Sequence, residues 1–369
     1  MEKVNRAHKC RLYPTKKQET LLARTFGCTR KVYNLMLEET RRLKTKSVCP
    51  SSIVPRKYFK DHPYLEEVDY YALYSERLCL TRSLQFYQKD KSKVPRFKSR
   101  KHHRLSYTTC NQNGSITVGK GFVTLPVIGK IKIRGQRQVP KQWKLKTATV
   151  SRESDGRYYI AILYEYAQEV KSVPISENAI GLDYKADGLY MSSTGKGPKG
   201  IQRFYRRKER LLAVIQRKLA RKSVGSRGYF RLKRRLGRVH ARISSQRQDY
   251  LHKISTHIAR AFDIVCVEDL DLKELSNKKN HFGKSTMDNG YGMFLAMLSY
   301  KLKDHGKHLV KVSRYYPSSQ ICSFCGRRKQ LLLSERIYHC ICGHEIDRDY
   351  NAAINIRNEG LRLLKAGKA

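Results

Sequence analysis

Four of the chain's ten cysteines fall within 21 residues, as Cys322-x2-Cys325 and Cys340-x-Cys342. Thiolates so arranged suit Zn2+. Four sulfurs fill its tetrahedron, and two short turns facing each other across a hairpin deliver them without a large core. Gly326 and Gly343, each just after a cysteine pair, allow the positive-φ turns expected to aim backbone N–H groups at the sulfurs. The second pair is one residue tighter than the usual Cys-x2-Cys, so His339 or His344 stands as an alternative to one of its sulfurs. The other six cysteines (Cys10, Cys28, Cys49, Cys79, Cys110, Cys266) have no framework spacing and read as reduced thiols.

Three acids sit where a carboxylate needs a reason. Asp183 lies within AIGLDYKADGLYMSSTG, an apolar run that reads as a β-hairpin; Glu268 ends the apolar strand Ile264–Val267; Asp349 opens the helix-forming run after the last cysteine. An apolar strand tolerates a carboxylate only when its charge is compensated, and one divalent cation compensates several. Taken singly, each acid is more commonly a cap or a surface group. Asp187 and Asp347 are the neighbouring alternatives.

The run HEIDRDYNAAINIRNEG resembles the C-terminal signature of the TnpB family, the transposon-encoded RNA-guided nucleases similar to compact type V CRISPR effectors. RLYPTKKQETLLARTFGCTRKVYN and PRFKSRKHHRLSYTT resemble segments of its N-terminal half. The resemblance implies that Asp349, two residues before Asn-Ala-Ala, is the third catalytic carboxylate. It further implies that Asp183, Glu268 and Asp349, in the order Asp, Glu, Asp, form the site of a RuvC-type RNase H fold. The implied chemistry is two-metal phosphodiester hydrolysis, with Asp183 bridging two Mg2+ ions and Glu268 and Asp349 holding one each. Mg2+ takes hard oxygen ligands, which separates its carboxylates from the thiolates of a single structural Zn2+ on Cys322, Cys325, Cys340 and Cys342. One departure stands out: Lys185 occupies a position where the family commonly has glycine, close enough to crowd the metal.

Lys and Arg number 77 against 31 Asp and Glu, a net charge of +46, which calls for a polyanionic partner. The charge runs along the whole chain, unlike that of a membrane-surface protein with one basic amphipathic helix. With no run of eighteen apolar residues and no apolar core at the N-terminus, the expected place is the prokaryotic cytoplasm, associated with the nucleoid. In the basic segment after residue 92, Arg96, Lys98, Arg100 and Lys101 are candidates for phosphates and Tyr107 for base stacking. Further on, Leu211, Leu212, Ile215 and Leu219 mark one long helix, and Leu232, Leu236, Val239 and Ile243 begin a second. Their remaining faces carry arginines with few acids, Arg234, Arg235 and Arg238 among them, and such faces repel themselves unless phosphates lie on them.

These sites need an α+β multidomain chain to position them. VNRAHKCRLY reads as an edge strand, and the following helical run, interrupted at Gly27, as a helix-turn-helix. A second helical arm spans 64–90, and glycine-punctuated alternating strands from 115 to 166 suggest a small β-barrel-like unit. Past a polar connector at 167–178 come the hairpin, the two helices, the strand ending in Glu268, a basic loop NKKNHFGKSTMDNGYG, a helix over 293–303 and a strand over 308–312. By the resemblance, 1–13 and 91–170 form a discontinuous wedge-like β-barrel with a helical recognition domain, 14–90, inserted in it. Residues 171–369 then form an RNase H-like (RuvC) α/β domain with a zinc ribbon inserted at 318–346.

The expected function is an RNA-guided DNA endonuclease that cuts double-stranded target DNA beside a short flanking motif, carrying a guide RNA from the transposon end. A nuclease-inactive RNA-guided repressor would not need all three acids. A strand-transfer transposase usually orders its acids Asp, Asp, Glu, and a non-catalytic zinc-ribbon RNA binder leaves them without a role.

Overall fold

The structure is a computed structural model that describes residues 2–43, 49–89, 94–99, 105–198, 203–277, 283–332 and 335–367. Arg100 and Lys101 lie outside these. The chain divides into two compact units, Met1–Gln168 and Glu169–Ala369.

The first unit opens with β1 (Glu2–Tyr13) and α1 (Lys16–Arg42). Thr15 and Gln18 form a reciprocal capping box that starts the helix. It then runs unbroken through Gly27, so the expected helix-turn-helix is one helix. An interior glycine costs about 1 kcal/mol, less than the burial of Leu22, Phe26, Val32, Met36 and Leu37 returns. Next come α2 (Tyr70–Gln88), β2 (Leu105–Cys110), β3 (Thr117–Gly119), β4 (Phe122–Leu125), β5 (Gly129–Arg134), β6 (Lys144–Arg152) and β7 (Tyr158–Gln168). Leu73, Leu80 and Leu84 of α2 share a core with α1.

The strands make one antiparallel sheet in the order β2-β6-β7-β1-β5-β4-β3. β1 sits inside it rather than at its edge, bonded to β7 from Glu2 to Leu12 and to β5 from Arg11 to Tyr13. Among the described residues no pairing joins β2 to β3, so the sheet is open where a barrel was expected.

The second unit contains β8 (Ala179–Tyr184), β9 (Tyr190–Ser192), α3 (Glu209–Ala220), α4 (Arg227–Ala261), β10 (Ile264–Glu268), α5 (Leu272–Leu275), α6 (Gly283–Asn289), α7 (Tyr291–Asp304), β11 (His308–Val312), β12 (Ile337–His339), β13 (Glu345–Asp347) and α8 (Arg348–Lys365). Its main sheet runs β11-β10-β8-β9, with β8, β10 and β11 parallel and β9 antiparallel to β8. Period-two alternation sends Ile180, Leu182, Val265 and Val267 into a core with Leu251 and Ile258 of α4 and Phe294 and Leu298 of α7. Ala179, Ile264, Cys266 and Val310 face the other way, toward Ile356 of α8. The site rests on this second face.

Part of the expected basic loop is helix α6, where Asp288 is buried and accepts hydrogen bonds from Tyr205 N (2.9 Å) and Arg247 Nη2 (3.0 Å). A carboxylate with an arginine partner docks the segment, which composition alone had marked as a loop. Among the described residues no helix is long and apolar enough to cross a membrane.

Candidate active site

β8 and β10 pair in parallel with Leu182 opposite Val267, so the next residues on the two strands, Asp183 and Glu268, come level at their C-terminal ends. Alternation places Asp183 on the same face as Ala179 and Gly181, toward α8. Gly181 makes this approach possible: a Cβ there would lie 2.1 Å from the carbonyl oxygen of Ala353 and 2.7 Å from the nitrogen of Arg357. Gly360 does the same from the helix side, where a Cβ would meet Cys266 Sγ at 2.3 Å. Asp347 caps α8, accepting from Tyr350 N at 2.9 Å, and Asp349 follows in the first turn.

Asp183, Glu268 and Asp349 line one cleft of about 510 Å3, together with Arg314, Arg328 and Arg348. Neither Asp187 nor Asp347 lines it. Burial pushes the carboxyl of Asp183 well above the usual range, and the charges of Glu268 and Asp349 push it further. Burial also raises Glu268. The cleft is therefore a place where negative charge is crowded and poorly hydrated, which a cation relieves. Asp349 already has cations on both oxygens: Lys185 Nζ lies 3.0 Å from Oδ2 and Arg348 Nη2 3.6 Å from Oδ1. Burial pulls the Lys185 ammonium down, but Asp349 more than offsets it, leaving a net rise.

The cysteines are gathered more tightly. Cys322 Sγ lies 3.9 Å from Cys342 Sγ and Cys325 Sγ 3.5 Å from Cys340 Sγ, with all four sulfurs within 4.8 Å of one another. Zn–S bonds of about 2.3 Å put the sulfurs of a tetrahedron about 3.8 Å apart, so the set fits Zn2+ and a zinc ribbon. Neither His339 nor His344 belongs to the cluster; His339 faces Glu345 at 3.3 Å and His344 stacks on Phe324. Gly326 and Gly343 adopt φ of +76° and +83°. Their N–H groups donate to the carbonyls of Cys322 (2.9 Å) and Cys340 (3.0 Å), closing each turn, and the backbone N–H of His344, just after Gly343, is aimed at the Cys342 sulfur. Among the described residues this is the one group of three or more ligands drawn so close; the carboxylates share a cleft without converging to that degree.

Two asparagines tie the cysteines to the acid-bearing helix. Asn351 is fully buried; it accepts from Ser323 N (2.9 Å) and donates to Ile321 O (2.7 Å). Asn355, one turn on, donates to Ser318 O (2.8 Å) and Ile321 O (2.7 Å). The loop that carries Cys322 is thus fixed to the turn of α8 that carries Asp349. The run Asn351-Ala-Ala-Ile-Asn355 held this signal, with its two asparagines spaced to share one helix face.

The nucleic-acid candidates fare unequally. Tyr107 is 3% exposed and packs on Phe26, because alternation in β2 turns it inward, so it offers no base platform. Lys98 is spent within the protein, paired with Glu76 and lying over the Tyr33 ring at 4.0 Å. Arg96 is exposed. Arg234, Arg235 and Arg238 are exposed on α4, and Arg234 and Arg238 line a cleft of about 350 Å3 with Arg227, Phe230 and Arg231. Phe230, 48% exposed among arginines, was missed in the sequence, although an aromatic at that spacing was its signal.

Three family models match the chain: one described as "Helix-turn-helix domain" over residues 1–45, one as "Probable transposase" over 161–279, and one as "Cas12f1-like, TNB domain" over 291–356. A Streptomyces pristinaespiralis protein named "Putative RNA-guided DNA endonuclease" is 35% identical, with 100% of this chain and 92% of that protein covered. An Escherichia coli K12 protein of the same name, designated InsQ, is 28% identical over 98% of this chain and 94% of its own. "TnpB-like protein L79" of Acanthamoeba polyphaga mimivirus is 24% identical over 96% and 73%. The fold matches a chain in "Cryo-EM structure of the Cas12f1-sgRNA-target DNA complex" with a TM-score of 0.60, covering 96% of this chain and 99% of that one at 14% identity.

Proposed function

Since the chain belongs to the TnpB family, we propose that it is an RNA-guided DNA endonuclease that cuts double-stranded DNA beside a short flanking motif, guided by RNA from the end of its own transposon. The observation that carries this reading is one cleft lined by three acids from distant parts of the chain, at the ends of two adjacent parallel strands and the start of the helix packed on them. In this reading 171–369 is an RNase H-like (RuvC) domain, 318–346 its zinc ribbon, 14–90 a recognition domain, and 1–13 with 91–170 the wedge.

Asp183, Glu268 and Asp349 would hold Mg2+: their oxygens are hard donors, and their crowded charge calls for a divalent ion. When bound, Mg2+ would supply Lewis-acid stabilisation of phosphate charge and a water that gives up its proton to solvent more readily and so attacks as a hydroxide-like nucleophile. Arg314, Arg328 and Arg348 line the same cleft and would orient the phosphates of the strand to be cut. The exposed arginines of α4, with Phe230, would grip a nucleic-acid backbone. Guide pairing reads the sequence, so positive charge without pattern is enough for the protein to hold the heteroduplex.

The test is to purify the chain with co-expressed transposon-end RNA and supply a guide-matched plasmid and Mg2+. Wild type is expected to cut both strands. Asp183→Asn should slow cutting on the order of a thousandfold with RNA binding intact. Unchanged cutting by that variant rejects the assigned site.

A further inference from the structure

Resting on the metal site just proposed, we propose that Lys185 is a tethered counter-ion: its ammonium occupies Asp349 until a divalent cation displaces it, and so sets the metal concentration at which the cleft becomes competent. The position follows from the strand. Lys185 is the first residue past the end of β8, two beyond Asp183, where its N–H still donates to Leu189 O (3.4 Å). It reaches Asp349 Oδ2 at 3.0 Å, with the two side chains 30% and 16% exposed.

This is not a lysine free to leave its partner by moving its backbone. Asn289 Nδ2 donates to the carbonyls of Lys185 (3.3 Å) and Ala186 (2.9 Å), and Gly188 N donates to Lys185 O (3.2 Å). The stem lies over Gly188, where a Cβ would be 3.6 Å from Lys185 Cβ. Only the ammonium end can swing away, and it needs a reason to do so.

Charge supplies the reason. Lys185 and Arg348 flank the two oxygens of Asp349 and offset its charge, where without the lysine Oδ2 would face the cleft unpaired. An incoming ion meets a weakened field and must outcompete a cation that cannot diffuse away. Glycine at this position would leave Asp349 open.

The experiment measures Mn2+ binding to the full-length protein by isothermal titration, with the Mg2+ dependence of cutting read alongside. Lys185→Met, which keeps the stem, and Lys185→Ala should both bind Mn2+ in the cleft about tenfold more tightly than wild type. The Mg2+ concentration for half-maximal cutting should fall by a similar factor, and Lys185→Arg should stay near wild type. Mn2+ affinity unchanged or weakened in both Lys185→Met and Lys185→Ala overturns the proposal, including the case in which cutting alone falls. The Asp183→Asn variant separates the two readings. If it binds Mn2+ as wild type does, the carboxylates are not the metal site and the functional reading falls with the proposal. If it loses the ion while the lysine variants bind like wild type, only the role of Lys185 is rejected.

Discussion

The four cysteines come from 21 consecutive residues, and their sulfurs already lie within 4.8 Å of one another; the three carboxylates come from positions 183, 268 and 349, and one of them is held by a lysine. Both sets converge on α8, through Asn351 and Asn355 on one side and Gly181 on the other. The difference is one of purpose. A structural metal adds its binding energy to folding and gains from ligands placed close together by local turns. On the proposed reading the carboxylates hold a metal that must exchange and act, and ligands for such a metal are placed by tertiary packing.

The largest effect should come from breaking the local site. Cys322→Ala removes one sulfur, and the loss of Zn2+ should cost about 3 kcal/mol or more, seen as a lowered Tm and as fast amide exchange over the segment that Asn351 and Asn355 hold. A variant that lost Zn2+ with no change in exchange would uncouple the cysteines from α8. Gly181→Ala tests the other side of the helix. Its methyl cannot fit 2.1 Å from Ala353 O, so α8 must lift, at about 1–3 kcal/mol, and cutting should fall further than stability alone explains. Wild-type cutting rates in that variant would mean that the spacing of Asp183 and Asp349 is not critical.

The smallest effect has the opposite sign. Burial and the charges of Glu268 and Asp349 raise the pKa of Asp183 in the fold. Its contribution is fully present below the unfolded value near 4 and is lost as pH rises through the folded value. In Mg2+-free buffer Asp183→Asn should therefore stabilise the protein by about 1 kcal/mol at neutral pH, and by less as the pH falls. Thermal unfolding across pH checks this. A destabilised Asp183→Asn at pH 7 would show that the acid is satisfied without metal.

The cysteine cluster was legible because spacing alone defines it, and apolar context placed Asp183 and Glu268 on strands that pair side by side in the fold. Lys185 was visible as an intruder, but its partner was not: nothing in the local sequence says that a helix 164 residues later will bring Asp349 to it. The same holds for Gly181, whose need for a missing side chain arises only against α8. Local propensity misled at Gly27, where packing on both sides carried the helix through, and at Tyr107, where strand alternation outweighed its basic neighbours. The barrel expected from short alternating strands is an open sheet, since closure depends on which edges meet and not on the strands themselves.

The central claim is that Asp183, Glu268 and Asp349 share a divalent ion. Anomalous diffraction from crystals of the protein soaked in Mn2+ tests it most directly. The account predicts a peak in the cleft within about 2.2 Å of oxygens from Asp183 and Glu268, with Asp349 turned from Lys185 toward the metal. A cleft without a peak at Mn2+ concentrations that support cutting, with Asp349 still paired to Lys185, would contradict it.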